Sequence, residues 1–384
     1  MTINDLYKYL PNASIDWNLI ENNILASFVD SLKATNQEPK WHGEGNVYIH
    51  TKMVCEALIK LDEYQSLAND EKLVLFLSAL FHDIAKPICT KIINDEITSF
   101  NHGPVGSCIT REYLYQEYNL TKDSLAIREG ICLLIKYHTT PLHISGDEAS
   151  IKRLIKLSLN TNLTKYFTIK NLCLLSKADV LGRIAIDTDD QLEKLELTEM
   201  LACELNCYNK AFEFKNTYTK FKYLNNDSIW QNEELYDDTW GEVIIMSGLP
   251  GVGKDTYIKT NYPNKKVISL DEIRQRLNIS PTSDQGIVIN EAIKEAKEYL
   301  RNKIPFIWNA TNTTSMIRKK IINIINDYHA KINLIYLEID YQTNITRNSS
   351  RAKKVPLNVI NKLLKHLNIP EAYEAHEVKW IYNE

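Results

Sequence analysis

The stretch VIIMSGLPGVGKDTY, Val243–Tyr257, decides how the C-terminal part of this chain is read. Its first four residues are a short apolar run of the kind that forms a buried strand. Gly248, Gly251, Gly253 and Lys254 then satisfy the spacing G-x-x-x-x-G-K, and a helical segment follows. Strand, glycine loop and helix in that order make a phosphate-binding loop. The glycines let backbone N–H groups turn inward around phosphate oxygens, and the helix N-terminus adds a favourable dipole. Gly248, Gly251, Val252, Gly253, Lys254, Asp255 and Thr256 are the candidate nucleotide-binding residues, with Lys254 bridging the β- and γ-phosphates. After the lysine such loops ordinarily carry a Ser or Thr whose hydroxyl contacts Mg²⁺; here Asp255 stands there. A carboxylate also serves a hard cation, directly or through water, and Thr256 is adjacent. The departure opens the question of the metal ligand and leaves the phosphate site intact.

From this loop onward, short apolar runs alternate with helical segments. The expected strands are Val243–Met246, Val267–Leu270, Ile304–Trp308 and Ile332–Ile339, with a helix over Asp284–Arg301 among the connections. That alternation predicts a parallel α/β sheet, whose ligands bind at the carboxyl ends of the strands. The second run leads into Asp271 and, one turn on, Arg274. A carboxylate there can accept a proton from an attacking hydroxyl and the arginine can hold a phosphate, although an acidic helix cap gives the same residues. The third run leads into Asn309-Ala310-Thr311-Asn312, on the same side. Arg347 and Arg351 are four residues apart and are expected to share one helix face. Two arginines so placed suit closure over a transferring phosphoryl group, or form an ordinary basic face. Val355-Pro356 and a helix ending at Ile369-Pro370 follow.

Upstream, to about residue 238, the periodicity is helical, with stripes at Ile49, Met53, Ala57 and Leu61 and at Leu73, Leu77, Leu80 and Ile84. The expectation is a two-domain chain, all-α over 1–238 and α/β over 241–384. Long helices over 188–224 would close the first domain, and the polar stretch NNDSIWQNEELYDDTWGE would serve as linker. A length of 384 residues suffices for two cores. Apolar content of 44% and charged content of 24% are those of a globular chain rather than a disordered one. No apolar run reaches the ~18 residues of a membrane span, and the first twenty residues lack the pattern of a signal peptide. None of the seven cysteines forms a C-x-x-C pair, so reduced thiols in a cytoplasmic protein are expected. The net charge of −4 is unevenly placed: residues 1–240 hold 24 basic and 34 acidic side chains (−10), residues 241–384 hold 21 and 15 (+6). A basic C-terminal half suits a polyanionic ligand, and a solvated face would give the same count.

Six of the nine histidines fall between residues 42 and 143. The central element is Phe81-His82-Asp83-Ile84-Ala85-Lys86-Pro87, at the end of the most apolar helical stripe. Its companions are His42-x-Glu44 with His50, then His102, His138, and Asp179 with Arg183. Imidazole and carboxylate ligands from separate helices can fix one or two divalent metals and leave positions open for water and substrate. His50, His82, Asp83 and Asp179 would make one such site; His102 and His138, with Asp83 bridging, a second. His143, His329, His366 and His376 fit no motif and are expected at the surface.

The C-terminal elements, in order, resemble the polynucleotide 5′-kinases: phosphate loop, D-x-x-R, A-T-N, R-x-x-x-R and V-P across nearly all of 241–384. The resemblance implies ATP and Mg²⁺, Asp271 as general base for a 5′-hydroxyl, and Arg274 as a contact to a phosphate of the acceptor. It makes Arg347 and Arg351 a lid over ATP and puts Asn312 beside the substrate. Asn309 stands where relatives often have Asp. The N-terminal elements resemble the HD phosphohydrolase superfamily in the order H, HD, H, H, D over roughly 40–185, which implies a helical metal-dependent phosphomonoesterase or phosphodiesterase. Lys86, His42 and Arg183 would then contact phosphate or donate a proton to the leaving group. An HD domain fused to a polynucleotide kinase is similar to the bacterial HD-Pnk type of RNA end-healing enzyme, which implies RNA ends (or DNA ends) as substrate, ATP or another NTP as donor, and a separate RNA ligase as partner. Two other readings stay open: a nucleoside kinase joined to a nucleotide phosphohydrolase, and an HD module that senses a nucleotide without turnover.

Overall fold

The computed structural model describes residues 1–118, 121–226, 228–280, 285–351 and 354–383. These divide into two compact units, Met1–Phe212 and Glu213–Glu384. Among the described residues no helix is long and apolar enough to cross a membrane, and the seven cysteines are free thiols.

In the first unit the short helices α1 (Trp17–Glu21) and α2 (Val29–Ala34) lead to α3 (Val47–Leu58), α4 (Asp62–Gln65) and α5 (Asn69–Phe81). Every α5 residue from Leu73 to Phe81 is buried, because this helix is apolar on all sides and can be satisfied only at the centre of the unit. It packs against α3, α8 (Lys122–Tyr137) and α10 (Ile169–Leu181). Helices α6 (Lys86–Cys89), α7 (His102–Glu117), α9 (Glu148–Ser158) and α11 (Thr188–Glu204) complete it.

The α3 stripe differs from expectation. Ile49 is 41% exposed, and the buried face is Val47, His50, Thr51, Val54 and Leu58. The helix is rotated so that His50 points inward, a position that hydropathy alone does not assign to a histidine. A small hairpin, β1 (Lys91–Ile93) with β2 (Glu96–Thr98), was also not expected. Asn94 and Asp95 turn it, both with φ above zero, as a two-residue hairpin loop requires.

The second unit is built on one parallel sheet in the order β4-β5-β3-β6-β7. The strands are β3 (Glu242–Ser247), β4 (Lys266–Ser269), β5 (Phe306–Asn309), β6 (Lys331–Glu338) and β7 (Glu377–Tyr382). Between them run α13 (Lys254–Asn261), α14 (Leu270–Leu277), α15 (Gly286–Arg301), α16 (Ser315–Asn326), α17 (Tyr341–Ser350) and α18 (Leu357–Lys365). Asp284, the expected first residue of α15, lies outside the described residues. Strand β7 was not foreseen. Its sequence EVKWIY alternates charge and apolar side chains and is only half-buried, as suits an edge strand.

The division falls at Phe212/Glu213 rather than at 238–241. Helix α12 (Thr217–Asn225) belongs to the second unit: Phe221 joins the apolar cluster of Val243, Ile245 and Ala375, and Lys220 Nζ donates to the Ala372 carbonyl at 3.1 Å. The polar stretch expected as linker runs back along this helix, with Tyr218 Oη donating to Asp238 at 2.7 Å and Asn216 Nδ2 to the Leu235 carbonyl at 3.1 Å. His376, expected at the surface, is buried. It stacks on Phe221 with ring centroids 4.1 Å apart, and its Nδ1 accepts the Ile332 N–H at 3.1 Å.

Candidate active sites

In the first unit, five helices meet at one point. Helix α5 delivers His82 and Asp83 from its C-terminal end; His102 opens α7 and His138 closes α8. His50 comes from α3, whose start is capped by Asn46 Oδ1 accepting the Ile49 N–H, and Asp179 from α10. Gly182 ends α10 where a Cβ would lie 2.5 Å from Val54 Cα. Only glycine lets α10 approach α3 closely enough for Asp179 Oδ1 to reach His50 Nε2, 3.1 Å away.

Three of the four imidazoles are oriented the same way. Nδ1 of His82, His102 and His138 faces the carbonyl of Ala79, Ser99 and Ile135, at 2.7, 2.7 and 2.8 Å. An N–H donated there leaves the Nε2 lone pair pointing into the site. His50 Nδ1 lies 3.0 Å from Glu44 Oε1 as a charge contact, without an aligned hydrogen bond. The Nε2 atoms then face each other in pairs, His50 with His82 at 3.2 Å and His102 with His138 at 3.1 Å. Asp83 lies between the pairs: Oδ2 is 3.2 Å from His82 Nε2 and 3.5 Å from His50 Nε2, while Oδ1 is 3.4 Å from His102 Nε2. Both Asp83 oxygens are buried without an aligned hydrogen-bond donor, although the Lys86 ammonium lies 2.7 Å from Oδ2 as a charge contact.

Lone pairs converging on lone pairs and carboxylate oxygens repel unless cations stand between them. Among the described residues three groups of such atoms lie within 4.8 Å: His50–His82–Asp83, Asp83–His102–His138 and, behind His50, His42–Glu44–His50. Imidazole and carboxylate donors in that number suit divalent transition metals. The donor set fits one or two such ions, shared through Asp83, with Asp179 beside the first group.

The electrostatics divide the set. Burial would raise the Asp83 and Asp179 carboxyls, but His82 and Lys86 on the first, and His50 and His82 on the second, hold both well below the usual range. His138 is pushed down to about 3 by burial and then by His102 and His82, so its ring is neutral at ordinary pH. His50 is raised to about 9: burial lowers it, and contacts with Asp179 and Glu44 outweigh that.

A cavity of about 300 Å³ opens onto these groups and is also lined by Trp41, His42, His143 and Arg183. Arg183 Nε and Nη2 are buried without a partner, which fits a guanidinium waiting for an anion. Two supporting residues were given no role from the sequence. The Glu44 side chain is buried and accepts from His42 Nδ1 at 2.9 Å and from the Ile184 N–H at 2.9 Å; these bonds and the nearby His50 hold its carboxyl far below normal against the cost of burial. Gln37 Oε1 accepts from Lys86 Nζ at 2.5 Å. The H-x-E spacing carried a signal for Glu44; nothing nearby in sequence marks Gln37. His143, expected at the surface, is exposed yet lines the cavity.

In the second unit the glycine loop joins the end of β3 to α13. Gly248, Gly251 and Gly253 all take φ above zero, and at Gly253 a Cβ would lie 2.4 Å from Asn383 Nδ2. Val252 is buried, and Thr256 and Asp255 are exposed on the first turn of α13. The loop is braced by residues the sequence did not mark: Asn344 Nδ2 donates to the Pro250 carbonyl at 3.0 Å and Asn383 Nδ2 to the Val252 carbonyl at 2.7 Å. Lys254 Nζ donates to the carbonyls of Gly248 and Leu249, both at 2.9 Å. Burial lowers its pKa to about 8, against the pull of Asp255 and Asp271.

Asp271 lies in the first turn of α14 at the carboxyl end of β4 with its side chain 71% exposed, and pairs with Arg274. Arg274 Nε also donates to Gln285 Oε1 at 2.6 Å. Arg347 approaches the loop: a Cβ on Gly253 would be 3.9 Å from its Nη1. The two lid arginines do not share a helix face, because α17 ends at Ser350 and Arg351 is extended. Asn312 is placed differently from expectation. Its side chain is buried and donates to the Met246 carbonyl at 2.7 Å, so it latches the loop after β5 to β3 instead of facing the crevice. Arg318 supports that latch from within the core, donating to the Asn312 carbonyl at 3.0 Å and to both Glu374 oxygens at 2.7 Å.

Residues 47–184 match the HD domain family and residues 243–370 the AAA domain family. Over 136 residues the chain is 28% identical to the L-seryl-tRNA(Sec) kinase of Methanococcus maripaludis, a match covering 33% of this chain and 53% of that protein. The chain thus spans about half the length of this curated relative. Among solved structures, a proposed kinase of Chloroflexus aurantiacus is similar at 16% identity and a TM-score of 0.32, over 38% of this chain and 86% of the other. A gluconokinase of Sinorhizobium meliloti is similar at 13% identity and a TM-score of 0.29, over 38% and 84%. The chain thus carries a helical region that matches the HD family, followed by a P-loop region on a five-stranded parallel sheet that matches the AAA family.

Proposed function

We propose that the chain heals nucleic-acid ends, with RNA ends as the main substrate. The P-loop unit would transfer the γ-phosphoryl group of ATP, or of another NTP, to a 5′-hydroxyl. The HD unit would remove a 3′-phosphate, first opening a 2′,3′-cyclic phosphate where one is present. The observation that carries this reading is the union in one chain of a two-centre His/Asp site with a phosphate loop flanked by Asp271 and Arg274. A relative whose name specifies a tRNA-borne acceptor supports a kinase acting on RNA, as does the +6 charge of residues 241–384.

In the kinase step Lys254 would leave the loop carbonyls for the phosphates of the nucleotide. Arg274 would leave Asp271 for a phosphate of the acceptor strand, which frees Asp271 to take the 5′-hydroxyl proton. The hydroxyl oxygen attacks the γ-phosphorus, the bond to the β–γ bridging oxygen breaks, and ADP departs. Arg347 and Arg351 would close on the charge that develops. Mg²⁺, when bound, neutralises part of that charge.

In the hydrolytic step divalent metals held by His50, His82, Asp83, Asp179, His102 and His138 supply water activation and charge neutralisation. Arg183 would hold the phosphate and Lys86 would fix Asp83. His42, backed by Glu44, would give a proton to the leaving oxygen. Water adds to phosphorus, the ester bond breaks, and a 3′-hydroxyl results. The products, 5′-phosphate and 3′-hydroxyl, are what a separate RNA ligase would join, in the cytoplasm.

The test is an oligoribonucleotide with 5′-hydroxyl and 2′,3′-cyclic phosphate ends, incubated with ATP and Mg²⁺, Mn²⁺, Co²⁺ or Ni²⁺ and read by mass. Gain of a 5′ phosphoryl group and loss of the 3′ phosphate are expected. Equal phosphorylation of free nucleosides would favour the small-molecule reading instead, and binding without turnover in the HD unit a sensing role.

A further inference from the structure

The two residues of the P-loop unit that depart from the common pattern touch each other: Asn309 Nδ2 donates to Asp255 Oδ1 at 2.7 Å. Asp255 follows the loop lysine on the first turn of α13. Asn309 ends β5, level with Met246 of β3 and Ser269 of β4, and is buried. In P-loop nucleotide sites the cation is generally held by a hydroxyl from the loop and a carboxylate from a strand end. Here the carboxylate stands on the loop and the strand end carries a neutral amide.

We propose that Asp255 and Asn309 form a role-exchanged cation clamp, in which Asp255 supplies the charged oxygen to the nucleotide-bound Mg²⁺ and Asn309 orients it. This rests on the reading of the unit as nucleotide-binding. A single amide donor takes up Oδ1 without neutralising the carboxylate and leaves Oδ2 for a ligand. Unlike Asp271, which is ion-paired with Arg274, Asp255 forms no ion pair among the described residues. An exposed carboxylate oxygen is a fit donor for a hard cation. The same charge repels bare phosphates, so the exchange has a two-sided consequence. Nucleotide binding depends more steeply on the divalent cation than it would with a hydroxyl at this position.

The experiment is calorimetric titration of the full chain with a non-hydrolysable ATP analogue, in EDTA and in Mg²⁺. In Asp255→Ser the Mg²⁺ enhancement of affinity should fall about tenfold, while metal-free binding is equal or tighter because the repulsion is gone. Adding Asn309→Asp to Asp255→Ser, which returns the carboxylate to the strand, should regain part of the enhancement. A fall below about threefold in Asp255→Ser, or a double variant no better than the single, overturns the clamp. A purely structural role for the pair would weaken metal-free and Mg²⁺-supported binding alike, and that outcome also overturns it. If a serine variant does not fold, the isosteric Asp255→Asn carries the same comparison. Failure of the unaltered chain to bind the analogue at all would instead remove the nucleotide-site reading beneath it.

Discussion

The two candidate sites treat charge in opposite ways. In the HD unit the candidate ligand atoms are aimed at each other, and both Asp83 oxygens lie buried among them without an aligned hydrogen-bond donor. In the P-loop unit the groups that would meet the substrate rest on one another: Lys254 on the carbonyls of Gly248 and Leu249, Arg274 on Asp271 and Gln285. A buried metal centre must be built in advance, since helices locked by core packing cannot rearrange to bring ligands in. A phosphoryl-transfer crevice opens and closes each cycle, so its charged groups need a resting state that does not strand them in solvent or next to each other. The first site stores its electrostatic tension; the second disposes of it in temporary pairs.

The hardest blow to this contrast falls on the bridging carboxylate. Asp83→Ala should reduce 3′-phosphate release on the order of 10³-fold or more and lower bound metal by elemental analysis, with 5′ phosphorylation retained. If full metal-dependent phosphatase activity survives, the HD site is misassigned. Lys254→Ala is the counterpart in the other unit, with an expected loss of phosphorylation on the order of 10²- to 10³-fold and phosphate release unchanged. Asp271→Asn should cost about 10²-fold or more in turnover and less in nucleotide affinity, since a general base acts in the chemical step. Normal phosphorylation of 5′-hydroxyl ends by that variant would end the general-base role and leave Asp271 only as a partner for Arg274.

A finer probe of the prebuilt site is Glu44, which lies 3.0 Å behind His50 Nδ1 and accepts from His42 Nδ1 at 2.9 Å. Glu44→Gln keeps the shape and loses the charge. Metal affinity should fall about 10- to 100-fold, as for other outer carboxylates behind a ligating imidazole. An unchanged affinity in a metal-competition titration would mean that α3 packing alone orients His50.

What was legible in the sequence follows from where each residue's role is encoded. The phosphate loop is local and contiguous, so its strand, turn and helix could be read directly from 243–257. The His and Asp cluster could be read because metal ligands are chemically rare types on otherwise apolar helices. Roles set by tertiary contact could not. Asn312 resembles a crevice residue in sequence and becomes a latch only because β3 lies beside its loop. Asn344 and Asn383 brace a loop about a hundred residues away in the chain. Gln37 is marked by nothing near it, and β7 hides behind the alternating charges of an edge strand. Helix α12 is amphipathic like α11, and only the contact of Phe221 with Ala375 and its neighbours says which core it serves.

His376 is the smallest of these effects and extends the contrast to groups outside either site. It is buried, stacked on Phe221 and used as a hydrogen-bond acceptor by Ile332 N–H, and burial, then Lys220, pushes its pKa down to about 3. The folded state therefore favours the neutral ring, while the unfolded chain titrates near 6.5. Its contribution is fully present above pH ~6.5 and is lost as pH falls through that value toward about 3, because the unfolded state then binds a proton that the folded state refuses. At pH ~5.5 this amounts to about 1 kcal/mol of lost stability in the P-loop unit. Denaturant melts at neutral pH and at pH ~5.5, followed by tryptophan fluorescence, should show that loss in the unaltered chain. His376→Gln lacks a titrating ring, so its melts should differ less between the two pH values. If the two chains respond equally to acid, His376 is not what couples this unit's stability to pH.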